Sequence, residues 1–426
     1  MRLVVKGGTL AGAVHIPGSK SHTIRALLIG SLAGGTSRLI RPLRSSDTES
    51  CIRACEALGA EVRSESSEAW EVRGTAGAPA ATGRTVDVGN SGTTLFLALG
   101  AAALAEDDTT FTGDEQIQRR SAAPLLEALR SLGARAVSER GNGCAPLRVG
   151  GPLQGGKVAI ECPTSQYLSS LLISCPLARR RSTIDVPLLN ESPYVGITLQ
   201  WLDNQGIVCR RDDDYSHFEI PGGQAYHSFS TSIPGDFSSA TFFLVAAAVT
   251  GARLQLRGLD MGDPQGDKAV VDMLQEMGCA VEVTSDGVAI RGPDRLQGCS
   301  FDLNATPDAL PAMAVAGCVA EGETRLLNVP QARMKETDRI RVMARELAKM
   351  GAEVEELSDG LAVRHSPLRG TALSGHGDHR VVMALAVAGL VADGATVIDS
   401  AESVSVTFPE FVELMCRIGA EMELSD

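Results

Sequence analysis

The chain has 426 residues, 44% hydrophobic and 21% charged, with a formal net charge of -13. That length allows two or more domains with cores of their own, and no apolar run reaches the ~20 residues of a membrane span. The acidic balance argues against general affinity for nucleic acid or anionic membrane, and with only 4% aromatics few bases could be stacked. Any anionic ligand must therefore be held by a local cationic cluster. The opening MRLVVKGGTL lacks the long apolar region and small-residue cleavage site of a signal peptide. Ten cysteines lie scattered without a CxxC pair, which points to reduced thiols and a cytoplasmic location.

The first element to carry chemistry is IPGSKSHTIRALLIG (16–30), where Lys20, Ser21 and Arg25 stand at the entrance of an apolar helix. A helix N-terminus has unpaired N–H groups and the positive end of the dipole, and so suits an anion. This helix ends at LAGGTSRL, and an amphipathic one follows, ending at Gly59 in ACEALGAEVRS. The pattern then repeats along the chain. Apolar helices begin at GNSGTTL, PTSQYLS, GDFSSATF, TPDALPA and GDHRVVM, and amphipathic ones end at Gly133, Gly206, Gly278, Gly351 and Gly419. Two starts of outer segments carry further charge: DEQIQRRSAAPL holds Arg119 and Arg120, and QARMKETDRIRVMA holds Lys335, Glu336, Asp338 and Arg339. On a helix Lys335 and Arg339 would share one face, with Glu336 a residue round.

The repeat is quantitative. The six helix-ending glycines are separated by 74, 73, 72, 73 and 68 residues, and the interleaved apolar-helix ends (Gly35, Asp107, Arg180, Gly251, Gly322, Gly394) by 72, 73, 71, 71 and 72. A glycine past a helix end supplies the left-handed conformation needed there. Six copies of a unit of about 72 residues, each with an all-round apolar helix and an outer amphipathic one, are expected. The polar, linker-like HSFSTSIPGDFSS (227–239) divides them three and three. Equivalent repeats put their polar helix starts on equivalent faces, so these starts are expected to converge on an anion site. HGDH (376–379) lacks a third convincing ligand for a metal, and GNSGT has neither the lysine nor the spacing of a nucleotide P-loop.

In this order and spacing the motifs PGSKS…R (17–25), GNSGT (89–93), PTSQYL (163–168), SPY (192–194), GDFSSA (235–240), PDA (307–309), RMKETDR (333–339) and GDHR (377–380) resemble the enolpyruvyl transferase family. The resemblance implies an α/β fold of two similar domains, each of three βαβαββ units in an inside-out α/β barrel. Domain I would comprise 1–16 and 232–426 and domain II 17–231. The active site would lie in the interdomain cleft, with hinges near 16–18 and 230–234. The branch matched best moves the enolpyruvyl group of phosphoenolpyruvate onto the 5-hydroxyl of shikimate 3-phosphate. It releases phosphate by addition–elimination on the route to chorismate and the aromatic amino acids. A monomer acting on two small molecules, without metal or other cofactor, is implied.

The same resemblance assigns roles. Lys20, Asp308, Glu336 and His379 would be the catalytic groups. Lys20, Ser21, Arg25, Thr164, Ser165, Gln166, Tyr194, Asp308, Gln331 and Lys335 would hold shikimate 3-phosphate. Lys20, Gly92, Arg120, Gln166, Arg339 and Arg380 would surround phosphoenolpyruvate. Four positions depart from the family pattern: Phe96 and Val406 replace an arginine and a lysine, Glu191 a serine, and Gln331 an asparagine. Arg119 or Arg341 could stand in for the missing cations. The sibling branch that uses a nucleotide sugar carries a reactive cysteine near Arg120, and residues 111–123 here contain none. Two alternatives stay open: transfer to a different hydroxyl acceptor, with Glu191 as the reason, and a non-catalytic ligand-binding relic of the fold.

Overall fold

The computed structural model describes residues 1–425 apart from positions 65 and 67. Its α-helices run α1 Lys20–Leu32, α2 Ser46–Ala57, α3 Gly92–Ala102, α4 Ala123–Ser131, α5 Ser165–Ser174, α6 Ser192–Asn204, α7 Phe237–Thr250, α8 Ala269–Glu276, α9 Leu310–Val319, α10 Arg339–Lys349, α11 His379–Gly389 and α12 Phe411–Arg417. The odd-numbered helices are buried along almost their whole length, as in α3, where every residue of GTTLFLALGAA is buried. A helix with no polar face can only be accommodated inside. The even-numbered ones bury a single face, such as Val270, Val271 and Leu274 of α8.

The chain divides into two compact units, Met1–Pro17 with the segment from Pro234 onwards, and Gly18–Ile233. Each has its own apolar core. One gathers residues such as Leu3, Val5, Phe243, Met313 and Phe411, the other Leu27, Trp70, Leu97, Leu172 and Trp201. Within the first unit α7, α9 and α11 pack on one another, and within the second α3 packs on both α1 and α5. In both, the buried helices form the centre and sheets lie outside them.

The strands form six four-stranded sheets, three per unit, and all six share one pattern. In the sheet of Lys157–Cys162, Ser182–Leu189, His217–Ile220 and Arg210–Arg211, the first pair is parallel and the other two are antiparallel. The parallel pair brackets a buried helix, α5, as the crossover geometry requires. The repeat expected from spacing is thus one sheet and two helices per copy. The glycines that end the outer helices, Gly59, Gly133, Gly206, Gly278, Gly351 and Gly419, all have φ between +67° and +106°.

Two local expectations are corrected. Residues 227–239 are not a free linker: Ser230–Ser232 adds a parallel strand to Thr36–Ile40, and Asp236 caps α7 by accepting the Ser239 N–H. The KETDR run does not lie on a helix. Asp338 accepts the Arg341 N–H as N-cap, so α10 starts only at Arg339, and Lys335 ends a preceding 3-10 turn in extended conformation. Lys335 and Arg339 therefore do not share a helical face.

The aromatic cluster around Phe243 offers a test of the core. Phe243 is fully buried and its ring meets those of Phe408 and Phe411 at 5.9 and 6.1 Å. Phe243→Ala is expected to destabilise that unit by about 3–5 kcal/mol, measured as a lowered urea midpoint. A midpoint unchanged from wild type would contradict the packing described.

Candidate active site

In the 18–233 unit the expected residues stand at the starts of buried helices and of α6. Ser19 caps α1, and Lys20, its first residue, places Nζ 3.0 Å from Asp47 Oδ2 in the first turn of α2. Asp47 is 4% exposed, so this pair is shielded from solvent. The Thr94 hydroxyl donates to the Asp47 carbonyl at 3.2 Å and ties α3 to the same point.

Arg25 is 1% exposed. Its guanidinium donates to Thr198 Oγ1 (2.8 Å), the Ser21 carbonyl (3.0 Å), Ser169 Oγ (3.3 Å) and the Tyr194 carbonyl (3.0 Å), joining α1 to α5 and α6. All four acceptors are neutral, and burial lowers its pKa to about 10. A buried cation held only by neutral oxygens favours a nearby anion.

The start of α5 reaches two neighbours. Gln166 Nε2 donates to Thr93 Oγ1 at 2.9 Å, and the Tyr167 hydroxyl donates to the Ser121 carbonyl next to Arg120. Gly92 opens α3 directly under the Arg120 guanidinium, where a β-carbon would overlap Nη1. Thr164 and Ser165 both bond Glu191, which is 2% exposed. The structure therefore links Lys20, Ser21, Arg25, Gln166 and Tyr194 through α1, α3, α5 and α6, with Gly92 and Arg120 beside them.

In the other unit a single guanidinium organises the set. Arg339, 1% exposed, donates from Nη1 to Asp308 Oδ1 (2.8 Å), from Nε to Asp378 Oδ2 (2.9 Å), from Nη2 to Asp378 Oδ1 (3.2 Å), and from Nη2 to Glu336 Oε2. Arg380 Nη2 takes the other oxygen of Asp308 at 2.9 Å. Asp308 lies in the 3-10 turn Pro307–Ala309 just ahead of α9, and Asp378 caps α11 by accepting the Arg380 N–H. Burial would lower the pKa of Arg339, but the charges of Asp378, Glu336 and Asp308 outweigh it and the net shift is upward. Burial likewise raises the Asp378 carboxyl, and Arg339 more than reverses this, leaving it below the ordinary range.

His379 is 1% exposed, and neither ring nitrogen has a hydrogen-bond partner. Gln331, equally buried, donates to the Asn304 carbonyl while its Oε1 has no partner. Two buried side chains are thus left with capacity for a ligand. Asp47 is the neighbour of the site that sequence reasoning missed, and Asp378 was weighed there only as a metal ligand, whereas Glu191 was noted as a departure in the acceptor region. Their sequence signal is an acidic residue within a residue or two of a helix start, which is shared with every ordinary N-cap.

The departures are also placed. Phe96 is a core residue whose ring meets that of Tyr167 edge-on at 5.1 Å. Val406 ends the 3-10 helix Ala401–Val406. Arg119 pairs with Glu115, and Arg341 lies near Asp338 and Glu356; both arginines are largely exposed. These surface pairs give neither arginine a place in the two sets.

Burial lowers the pKa of His379 to about 3. The unfolded chain, with a histidine pKa near 6.5, binds this proton first, so the contribution is complete above pH 6.5 and is lost as pH falls towards 3. Between pH 7 and pH 5 the loss is expected to be about 2 kcal/mol, and urea unfolding of His379→Asn should show that much less acid sensitivity. Equal losses in both proteins would contradict a buried neutral imidazole.

The sequence was compared with known proteins. The profile of EPSP synthase (3-phosphoshikimate 1-carboxyvinyltransferase) matches residues 4–415. A 3-phosphoshikimate 1-carboxyvinyltransferase of Acetivibrio thermocellus is 53% identical over 422 residues, 99% of each chain, and one of Ruminiclostridium cellulolyticum is 50% identical over the full length of both. A solved EPSP synthase from Acinetobacter baumannii superposes with a TM-score of 0.84 at 26% identity, covering all of both chains. With a family profile spanning nearly the whole sequence and relatives at half identity or more, this chain belongs to the EPSP synthase family.

Proposed function

We propose that the protein transfers the enolpyruvyl group of phosphoenolpyruvate to the 5-hydroxyl of shikimate 3-phosphate and releases inorganic phosphate. The observation that carries the chemistry is the cluster in which Asp308 and Glu336 both lean on the buried Arg339, beside a neutral, unpartnered His379. In the reaction the 5-hydroxyl oxygen loses its proton and bonds to C2 of phosphoenolpyruvate while C3 takes a proton. In the tetrahedral adduct the C2–O bond to phosphate then breaks and C3 gives up a proton. The atoms balance without an oxidant or a covalent enzyme intermediate.

Both proton transfers need carboxylates or amines that change partners. Asp308 is held by Arg339 and Arg380, and Glu336 by Arg339. The carboxylate and phosphate of phosphoenolpyruvate compete for those same arginines, and so free the two side chains for acid–base work. Lys20, now paired with Asp47, shares the proton traffic. His379 hydrogen-bonds a substrate oxygen without adding charge. Ser21, Arg25, Thr164, Ser165, Gln166 and Tyr194 hold the acceptor, and Gln331 and Lys335 are assigned to it as well. Gly92 and Arg120 hold phosphoenolpyruvate. One chain supplies every residue, so a monomer suffices, and free thiols at all ten cysteines support a reducing, cytoplasmic setting. No helix among the described residues is long and apolar enough to cross a membrane.

Phosphate release with both substrates, with the product mass confirmed, tests the reading. Asp308→Ala and Glu336→Ala are each expected to lower turnover by about 10²–10⁴-fold; a folded wild type silent with shikimate 3-phosphate would overturn the acceptor, and full activity in either variant would overturn that residue's role. Gly92→Ala pushes the Arg120 guanidinium aside, so KM for phosphoenolpyruvate should rise about tenfold, roughly one lost charge-assisted hydrogen bond, while KM for shikimate 3-phosphate stays within about twofold. The reverse pattern would place Arg120 with the acceptor.

A further inference from the structure

We infer that Glu191 is an internal competitor for the phosphate of the acceptor, and that it limits how strongly the protein prefers a phosphorylated acceptor over an unphosphorylated one. The inference rests on the functional reading above, in which Thr164 and Ser165 hold the acceptor, and takes its phosphate as the group their donors meet.

Glu191 precedes α6 with its backbone in the left-handed region (φ 60°, ψ 38°) and its side chain buried. One oxygen, Oε2, accepts three bonds: from Thr164 Oγ1 at 3.2 Å, Ser165 Oγ at 3.0 Å and the Ser165 N–H at 3.3 Å. Thr164 occupies the N-cap position of α5, yet its side chain makes no capping bond; its hydroxyl donates to the carboxylate instead. A threonine there ordinarily caps the helix as an acceptor. Here both hydroxyls and an amide are turned outward as donors on a single anionic oxygen, supplied by the residue just before α6.

Each hydroxyl has one proton to donate. It cannot serve Glu191 and a phosphate oxygen together, and the two negative charges at contact distance repel strongly in a buried setting. Phosphate can occupy this place only when the Glu191 side chain leaves it. Part of the binding energy of the phosphate is thereby spent on displacing the carboxylate, whereas an acceptor without phosphate has no such displacement to make. The buried guanidinium of Arg25 joins α5 to α6 through neutral oxygens, Ser169 Oγ, Thr198 Oγ1 and the carbonyl of Tyr194 in the first turn of α6.

Glu191→Gln keeps the shape and removes the charge, and Glu191→Ser removes both. Dissociation constants for shikimate 3-phosphate, shikimate and inorganic phosphate are measured by calorimetry for wild type and both variants. The expected result is binding of shikimate 3-phosphate and inorganic phosphate about tenfold tighter in the variants, with shikimate within about twofold of wild type. Phosphate ligands bound equally or more weakly by both folded variants would overturn the inference and make Glu191 a fixed clamp on α5. Inorganic phosphate reads the competition even where wild type fails to turn over shikimate 3-phosphate, so the two failures are told apart. If Glu191→Gln does not fold, Glu191→Ser carries the same comparison.

Discussion

A helix that is apolar on all sides can be buried along its length, but its first turn still carries N–H groups that need acceptors. Six such helices form the cores of the two units, and each solves the problem with a short polar sequence at its start. Ser19, Ser91, Asp236 and Asp378 are side-chain caps in the ordinary sense. Thr164 is not, because Glu191 does that work from outside the helix. Apart from Arg25, charged residues are absent from the interiors of these helices and collect at their starts. The chemistry of the protein is therefore found where burial forces polarity to collect, and the repeat multiplies such ends six times.

Most charges in both sets are paired internally, Arg25 being held by neutral oxygens instead. Lys20 has Asp47, Arg339 has three carboxylates, Arg380 shares Asp308, and the donors of Thr164 and Ser165 have Glu191. A protein with a net charge of -13 can keep several cations close together only with such partners. On the proposed function, anionic substrates would bind by exchange, each replacing a protein carboxylate on its cation or hydroxyl. Breaking a buried pair without replacing its partner is costly, so exchange favours ligands that supply an anion at every vacated contact. The same exchange leaves carboxylates in an altered setting just when proton transfer is required.

The six-fold repeat, the helix order and the helix-ending glycines were legible in the sequence because each rests on local chemistry: a period, an apolar stripe, a left-handed residue. Most of the site residues were legible only through resemblance, since Lys335 to Arg339 alone reads as a solvated charged face. The run also misled about local structure. Asp338 was a better cap than the next turn was a helix, and the helix began four residues after Lys335. Residues 227–239 looked like a linker because a three-residue edge strand, Ser230–Ser232, needs no apolar alternation. Asp378 was weighed as a metal ligand, when its partner is a guanidinium 39 positions away in sequence. Pairings of that span are set by topology and leave no mark on the local pattern.

The arrangement of strands imposes an order on how the chain matures. The unit of Gly18–Ile233 is continuous, and its last strand, Ser230–Ser232, closes onto Thr36–Ile40. It has all its partners well before synthesis ends. The other unit is split around it. Arg2–Gly8 finds its antiparallel neighbours in Thr396–Ile398 and Ala420–Ser425, with Leu3 opposite Ile398 and Leu424. Domains fold as units during synthesis, so Arg2–Gly8 must wait, unpaired, for strands made long after it. During that interval Leu3 and Val5, both fully buried in the finished core, stay exposed on an open strand. The ribosome thus releases one finished half and one half whose first sheet closes last, and that exposed N-terminal strand is the point at which a chaperone has the most to protect.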